Sequence, residues 1–149
     1  MNFEIADDDT KKLVDKIVED KFSSLNGCVI DPIFKMKKSK SKGEYVVSKL
    51  EKPSPIIKHL YSRINGNELD YILFLDENIY NALSNSDKEL VIEHTLMYAD
   101  VNMEANNPYG LRKAEIETFY DILDRTKDDL RWQQRLQDIA ASIYEEEKE

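Results

Sequence analysis

From Thr10 to Phe22 the apolar residues recur at helical spacing, with Leu13, Val14, Ile17, Val18 and Phe22 on one stripe. Thr10 is placed to cap this helix, and Asp7, Asp8 and Asp9 precede it at the end of the helix dipole that favours negative charge. The pattern then shortens. Residues 27–36 predict a strand interrupted at Asp31-Pro32, residues 44–50 read as its hairpin partner, and residues 39–43 supply the turn. Pro53-Ser54-Pro55 opens a short helix through Ile56, Ile57, Leu60 and Tyr61, which Asn65-Gly66-Asn67 stops.

The clearest strand is Asp70-Tyr71-Ile72-Leu73-Phe74-Leu75-Asp76, a dense apolar run bounded by acids. A short helix over 77–83 follows. The next helix, about 86–100, is apolar around most of its circumference: Leu90, Val91, Ile92, Leu96, Met97 and Tyr98 cannot all face one way, so it is expected to be central and buried. Asn106-Asn107-Pro108-Tyr109-Gly110 breaks the chain. Beyond it, Ile116, Phe119, Tyr120 and Leu123 space a helix over 113–124, and Leu130, Leu136, Ile139, Ala140 and Ile143 space a last helix with a frayed acidic end at 145–149. The expectation is an α+β fold, a small antiparallel or mixed sheet packed by helices. It is read as one domain over 1–149, with a core over 25–125 and a C-terminal helix and acidic tail over 126–149. The chain carries no internal repeat, no glycine-rich phosphate loop and no G-x-S-x-G elbow.

Candidate chemistry centres on His94. A zinc-peptidase helix uses H-E-x-x-H because residues four apart share a helical face, so that two imidazoles bind one Zn²⁺ while the Glu polarises the metal-bound water. Reading from His94, the Glu position is Thr95 and the second His position is Tyr98. Glu93 precedes His94 and points about 100° away around the helix.

The run from Asp70 to Asp76, the short helix after it, the His94 helix and Leu111-Arg112-Lys113-Ala114-Glu115-Ile116-Glu117-Thr118-Phe119 together resemble a family of small phage-encoded metallopeptidases over roughly residues 25–125. Lys35, Lys37, Lys38, Lys40 and Lys42, followed by Glu44-Tyr45-Val46-Val47-Ser48-Lys49, are similar to that family's early hairpin. The resemblance implies a minimal zincin-like domain in which an H-E-L-x-H helix and a later H-D-[VI]-E-x-F segment supply the metal ligands. The later histidine aligns with Ala114, followed by Glu115, so one of the three implied protein ligands is present and the base is absent.

Composition narrows the setting. The 149 residues are 41% apolar and 34% charged, which suits a compact domain with a solvated exterior. No apolar run reaches the ~20 residues of a membrane span, and the acidic start is unlike a signal peptide, so the expected place is the cytoplasm. The single Cys28 cannot form an internal disulfide or a cysteine-rich zinc site and is expected as a small buried hydrophobe. Residues 1–64 carry 13 basic and 10 acidic side chains, whereas residues 65–149 carry 8 and 20. Such an acidic half discourages binding to nucleic acid and favours a basic partner surface.

Each candidate has two readings. His94 is a packed histidine or a ligand, and a His59–His94 metal pair requires the fold to join them. The five lysines are a hairpin tip or a phosphate patch, the one place where direct nucleic-acid contact is expected. Asp121, Asp124, Asp128, Asp129, Asp138, Glu145, Glu146 and Glu147 form solvated helix faces or a surface that imitates a phosphate backbone. Trp132 lies off the last helix's stripe, either as an exposed interface anchor or on a second buried face.

The leading expectation is a phage-type protein that is not an enzyme and needs no cofactor or metal. It would bind a basic host protein and inhibit a nucleic-acid-acting defence system, for example restriction or CRISPR. A metal-dependent hydrolase rebuilt around His94 with Tyr98, Glu93 or Glu115, and a self-associating assembly protein, are the alternatives.

Overall fold

A computed structural model describes residues 2–112 and 131–146. Its elements in chain order are β1 (Phe3–Ile5), α1 (Asp8–Lys21), β2 (Ile30–Lys35), β3 (Lys40–Ser41), β4 (Glu44–Tyr45), β5 (Ser48–Glu51), α2 (Pro55–Asn65), β6 (Tyr71–Asp76), α3 (Glu77–Ala82), α4 (Asn85–Leu96), β7 (Ala99–Val101), β8 (Tyr109–Leu111) and α5 (Trp132–Glu146). The architecture is α+β. The expected helix over 113–124 lies outside the described residues.

The main sheet is mixed, in the order β1-β2-β6-β5. β2 runs parallel to β6, and β1 and β5 are antiparallel edges. Strand alternation sorts its side chains cleanly. Pro32, Phe34, Leu50, Tyr71, Leu73 and Leu75 are all buried, and the register puts them on one face. α1 packs on β2 and α4 on β5. The other face carries Ile33, Ile72, Phe74 and Lys35, which are only half-buried. Pro32 survives in a central strand because its carbonyl accepts from Ala6 N–H at 3.2 Å, so its missing N–H points to the β1 side, where that strand ends.

This pairing corrects the expected hairpin. Residues 44–50 do not pair with 27–36. Glu44–Tyr45 closes a two-residue ladder on Lys40–Ser41, and Ser48–Glu51 passes on to β6. β6 is buried on its core face along its length, so it needs a neighbour on each edge, and β5 is the one that covers the edge left by β2. β1 and the β7–β8 hairpin were not anticipated.

The helix ends follow capping chemistry. Asp7, not Thr10, caps α1: its carboxylate accepts from Thr10 N–H at 2.8 Å, which holds the Asp7 carboxyl below its ordinary range, and Thr10 is buried inside the first turn. Ser54 caps α2, Pro55 occupies its first turn, and Gly66 ends it at φ 79°. Asp76 and Ser84 cap α3 and α4. α4 stops at Leu96, short of the expected residue 100, because the chain turns directly into β7. Cys28 is half-buried at the edge of the core, and burial with Asp70 nearby pushes its thiol up, away from reactivity.

Candidate functional site

α4 and the turn that follows it hold four positions of interest, Glu93, His94, Thr95 and Tyr98. Glu93 is 5% exposed and turned towards α1, where its carboxylate pairs with Lys21 Nζ at 3.2 Å. That pair joins α4 to α1 across 72 residues of chain. Thr95 is buried in the opposite direction. Its hydroxyl donates to the Val91 carbonyl at 2.6 Å and meets Ser48 Oγ on the edge strand at 2.6 Å, so Ser48 is the donor in the second bond. The position that would hold a general base is therefore a neutral hydroxyl tied to the helix backbone and to β5.

His94 and Tyr98 are brought together, as residues four apart should be. Their ring centroids lie 5.6 Å apart at 84°. A third ring closes the group: Trp132, on the first turn of α5, lies 5.5 Å from His94 at 69°. Burial pushes the imidazole down to about 4, so it is neutral at physiological pH. His94 lines neither of two surface clefts, of about 310 and 350 Å³.

Trp132 is 3% exposed, which corrects its reading as an exposed anchor. The buried stripe of α5 is Trp132, Leu136, Ala140 and Tyr144, with Ile139 and Ile143 only partly buried. Successive steps of four drift slowly around the helix, and the two aromatic residues extend that line at both ends.

Polar ties hold α5 over α3, α4 and β4, among them a bond of 3.4 Å from the Tyr45 hydroxyl to the Glu145 carboxylate. Arg135 grips buried Asp87 of α4 at 2.6 and 2.9 Å. The Gln137 side chain accepts from Tyr45 N–H and donates to Tyr45 C=O, both at 2.9 Å, as a strand neighbour would. The Tyr144 hydroxyl donates to the Asp76 carboxylate at 2.7 Å. That carboxylate also caps α3, and the Tyr144 ring stacks on Tyr45 at 5.5 Å. Nothing in the hydrophobic periodicity of residues 132–144 signals these ties.

The charged candidates are only partly within view. Asp138 and Glu145 are exposed on α5, seven residues apart and so on one face, away from the buried stripe. Asp138 accepts from Gln134 at 3.0 Å. Ala114, Glu115, Asp121, Asp124, Asp128, Asp129 and Glu147, and the Glu146 side chain, lie outside the described residues.

Lys37 and Lys38 lie in the segment that leads to the short β3–β4 hairpin, and Lys40 and Lys42 in the hairpin itself. Lys42 sits in its turn at φ 53°, and Lys40 lies over the Tyr45 ring at 4.6 Å. Lys38 lies over Tyr144 at 5.9 Å. Lys35 belongs to β2 and, with Lys40, Phe3 and Phe74, lines the 350 Å³ cleft. His59 is exposed on α2. Among the described residues, no three His, Cys, Asp or Glu side chains converge on a point that could hold a metal ion. No described helix is long and apolar enough to cross a membrane.

Residues 1–144 match the model of a family described as "Putative phage metallopeptidase". No curated protein and no solved structure matches the chain.

Proposed function

The chain belongs to the putative phage metallopeptidase family, and on that premise we propose that it keeps the family's scaffold but works by binding, not by metal-dependent hydrolysis. Its target in this reading is a basic, nucleic-acid-acting protein of the phage host, which it inhibits through its acidic second half.

The observation that carries the reading is the contact of Trp132 with His94. An imidazole packed among rings, poorly exposed and held neutral by burial, makes a packing residue. Zinc chemistry needs an accessible nitrogen, further ligands and a position open to water. Thr95 and Tyr98 stand at the two neighbouring positions that such chemistry uses, and Thr95 is already committed to Val91 and Ser48. The acidic half supplies a surface for a basic partner, and Asp138 and Glu145 are its described, solvent-facing carboxylates on α5.

Zinc content and partner capture test the two halves of this proposal. Protein purified without tag or chelator should contain no stoichiometric zinc and show no rise in Tm on adding Zn²⁺. About one zinc per chain with raised stability would overturn it in favour of hydrolysis. Host proteins retained on the immobilised chain should be released by double-stranded DNA and lost on Asp138→Lys with Glu145→Lys. Retention indifferent to both would remove the acidic-surface reading.

A further inference from the structure

α2 is turned inside out. Its large aliphatic residues Ile56, Ile57, Leu60 and Ile64 are 72, 46, 52 and 82% exposed, and no residue of the helix is buried. The inward side is the polar one. Lys58, Tyr61 and Ser62 are the half-buried residues, and Lys58 pairs with Glu68 at 3.6 Å.

By helical geometry the four aliphatic residues fall within an arc of about 100°. That is the width of stripe with which a surface helix ordinarily meets its own core. Here the stripe faces water, on a helix whose ends are fixed by the Ser54 cap and the left-handed Gly66. A helix already formed, with a narrow aliphatic ridge exposed, has the makings of helix-in-groove recognition.

Charge says what kind of groove. From Lys52 to Asn67 the chain holds Lys52 and Arg63 as exposed cations beside His59 and no carboxylate, Lys58 being half-buried and paired with Glu68 just beyond, within a protein of net charge -9. His59 and Arg63 are exposed and flank the ridge on one side, about 60° and 20° from Ile56. The overall negative charge opposes approach to an anionic lipid surface or to nucleic acid, whereas a local acidic rim on a protein can meet this edge at short range. We propose that α2 is a docking helix whose Ile56, Ile57, Leu60 and Ile64 ridge enters an apolar groove with an acidic rim on a partner protein. This surface is separate from the acidic half and does not depend on the fate of the metal helix.

The test uses the full chain with labelled Ile and Leu methyl groups and two synthetic amphipathic peptides. The peptides share a leucine face, one with glutamates around it and one with lysines. The acidic peptide should move the Ile56, Leu60 and Ile64 methyl signals, and the basic one should not. Arg63→Glu should weaken the acidic peptide severalfold and admit the basic one, and Ile64→Asp should abolish binding of either. Both substitutions are at exposed positions, and an unchanged melting curve checks the fold. Equal binding of the two peptides, or no shift at α2, overturns the proposal. So does an Ile64-dependent dimer in sedimentation, which would make a second copy the occupant, or Ile64-dependent recovery on phosphatidylglycerol vesicles.

Discussion

Arg135 Nε and Nη2 hold the two carboxylate oxygens of Asp87 at 2.9 and 2.6 Å, so a residue of α5 neutralises the buried acid of α4's first turn. A planar fork matched to a planar carboxylate gives direction as well as charge. Arg135→Ala leaves Asp87 buried without that partner and should cost about 2 kcal/mol in urea unfolding. Arg135→Lys should recover only part of it, because an ammonium cannot bond both oxygens in the same geometry. Equal stability of all three proteins would mean the pair contributes nothing net.

His94 should make the protein acid-sensitive in a definable window. Burial holds the folded imidazole at about 4, against about 6.5 in the unfolded chain. Between those values the unfolded state takes up a proton that the folded state refuses. The stabilisation is therefore complete above the upper value and is lost as pH falls towards the lower one. The loss across the window is on the order of 3 kcal/mol. Urea midpoints at several pH values should show it for wild type, whereas His94→Phe, with no titrating group at that position, should lack this loss, so the difference between the two should shift in the variant's favour as pH falls through the window.

Trp132 distinguishes a packed scaffold from an exposed docking residue. Truncation to Ala in a well-packed site should cost about 3 kcal/mol or more, with Trp132→Phe closer to neutral. A partner-facing tryptophan would leave the melting curve unmoved. As the chain's single tryptophan, it also reports its own exposure through its emission.

Gly66 offers a test in which contacts play no part. Its φ is 79°, and a Cβ there would meet nothing within 4 Å. Gly66→Ala should therefore cost about 1 kcal/mol through backbone strain alone, with Gly66→Asn milder. A neutral alanine would show that the end of α2 relaxes.

Legibility in the sequence depended on how far each signal reached along the chain. β6, α3 and α4 were readable because dense apolar runs and local caps specify them within a dozen residues. α2 was readable as a helix, yet periodicity shows only that an apolar stripe exists, not whether anything lies opposite, and here nothing described does. The three-residue strands β1, β7 and β8 are too short to show a period. The pairing of β5 with β6 is set across α2, where no turn signal speaks. At the site, the replacements Thr95 and Tyr98 were plain from the spacing. The Lys21–Glu93 pair and the Trp132–His94 contact were not, since they join elements distant in sequence. The last helix offered two overlapping stripes that share Leu136 and Ala140, and only the surfaces of α3 and α4 select the one bearing Trp132 and Tyr144.

The ties of α5 also set an order in time. Tyr45–Gln137, Asp76–Tyr144 and Asp87–Arg135 span 92, 68 and 48 residues, and contacts of such separation form late because long loops must close before they give any return. During synthesis the strands and α4 are complete well before residue 132 leaves the ribosome. Until then Asp76 and Asp87 lack their α5 partners, and the surface later covered by Trp132 and Tyr144 lies open to water. Completion of this layer therefore follows translation of α5, and the nascent intermediate that waits for it is the species most exposed to proteases and chaperones.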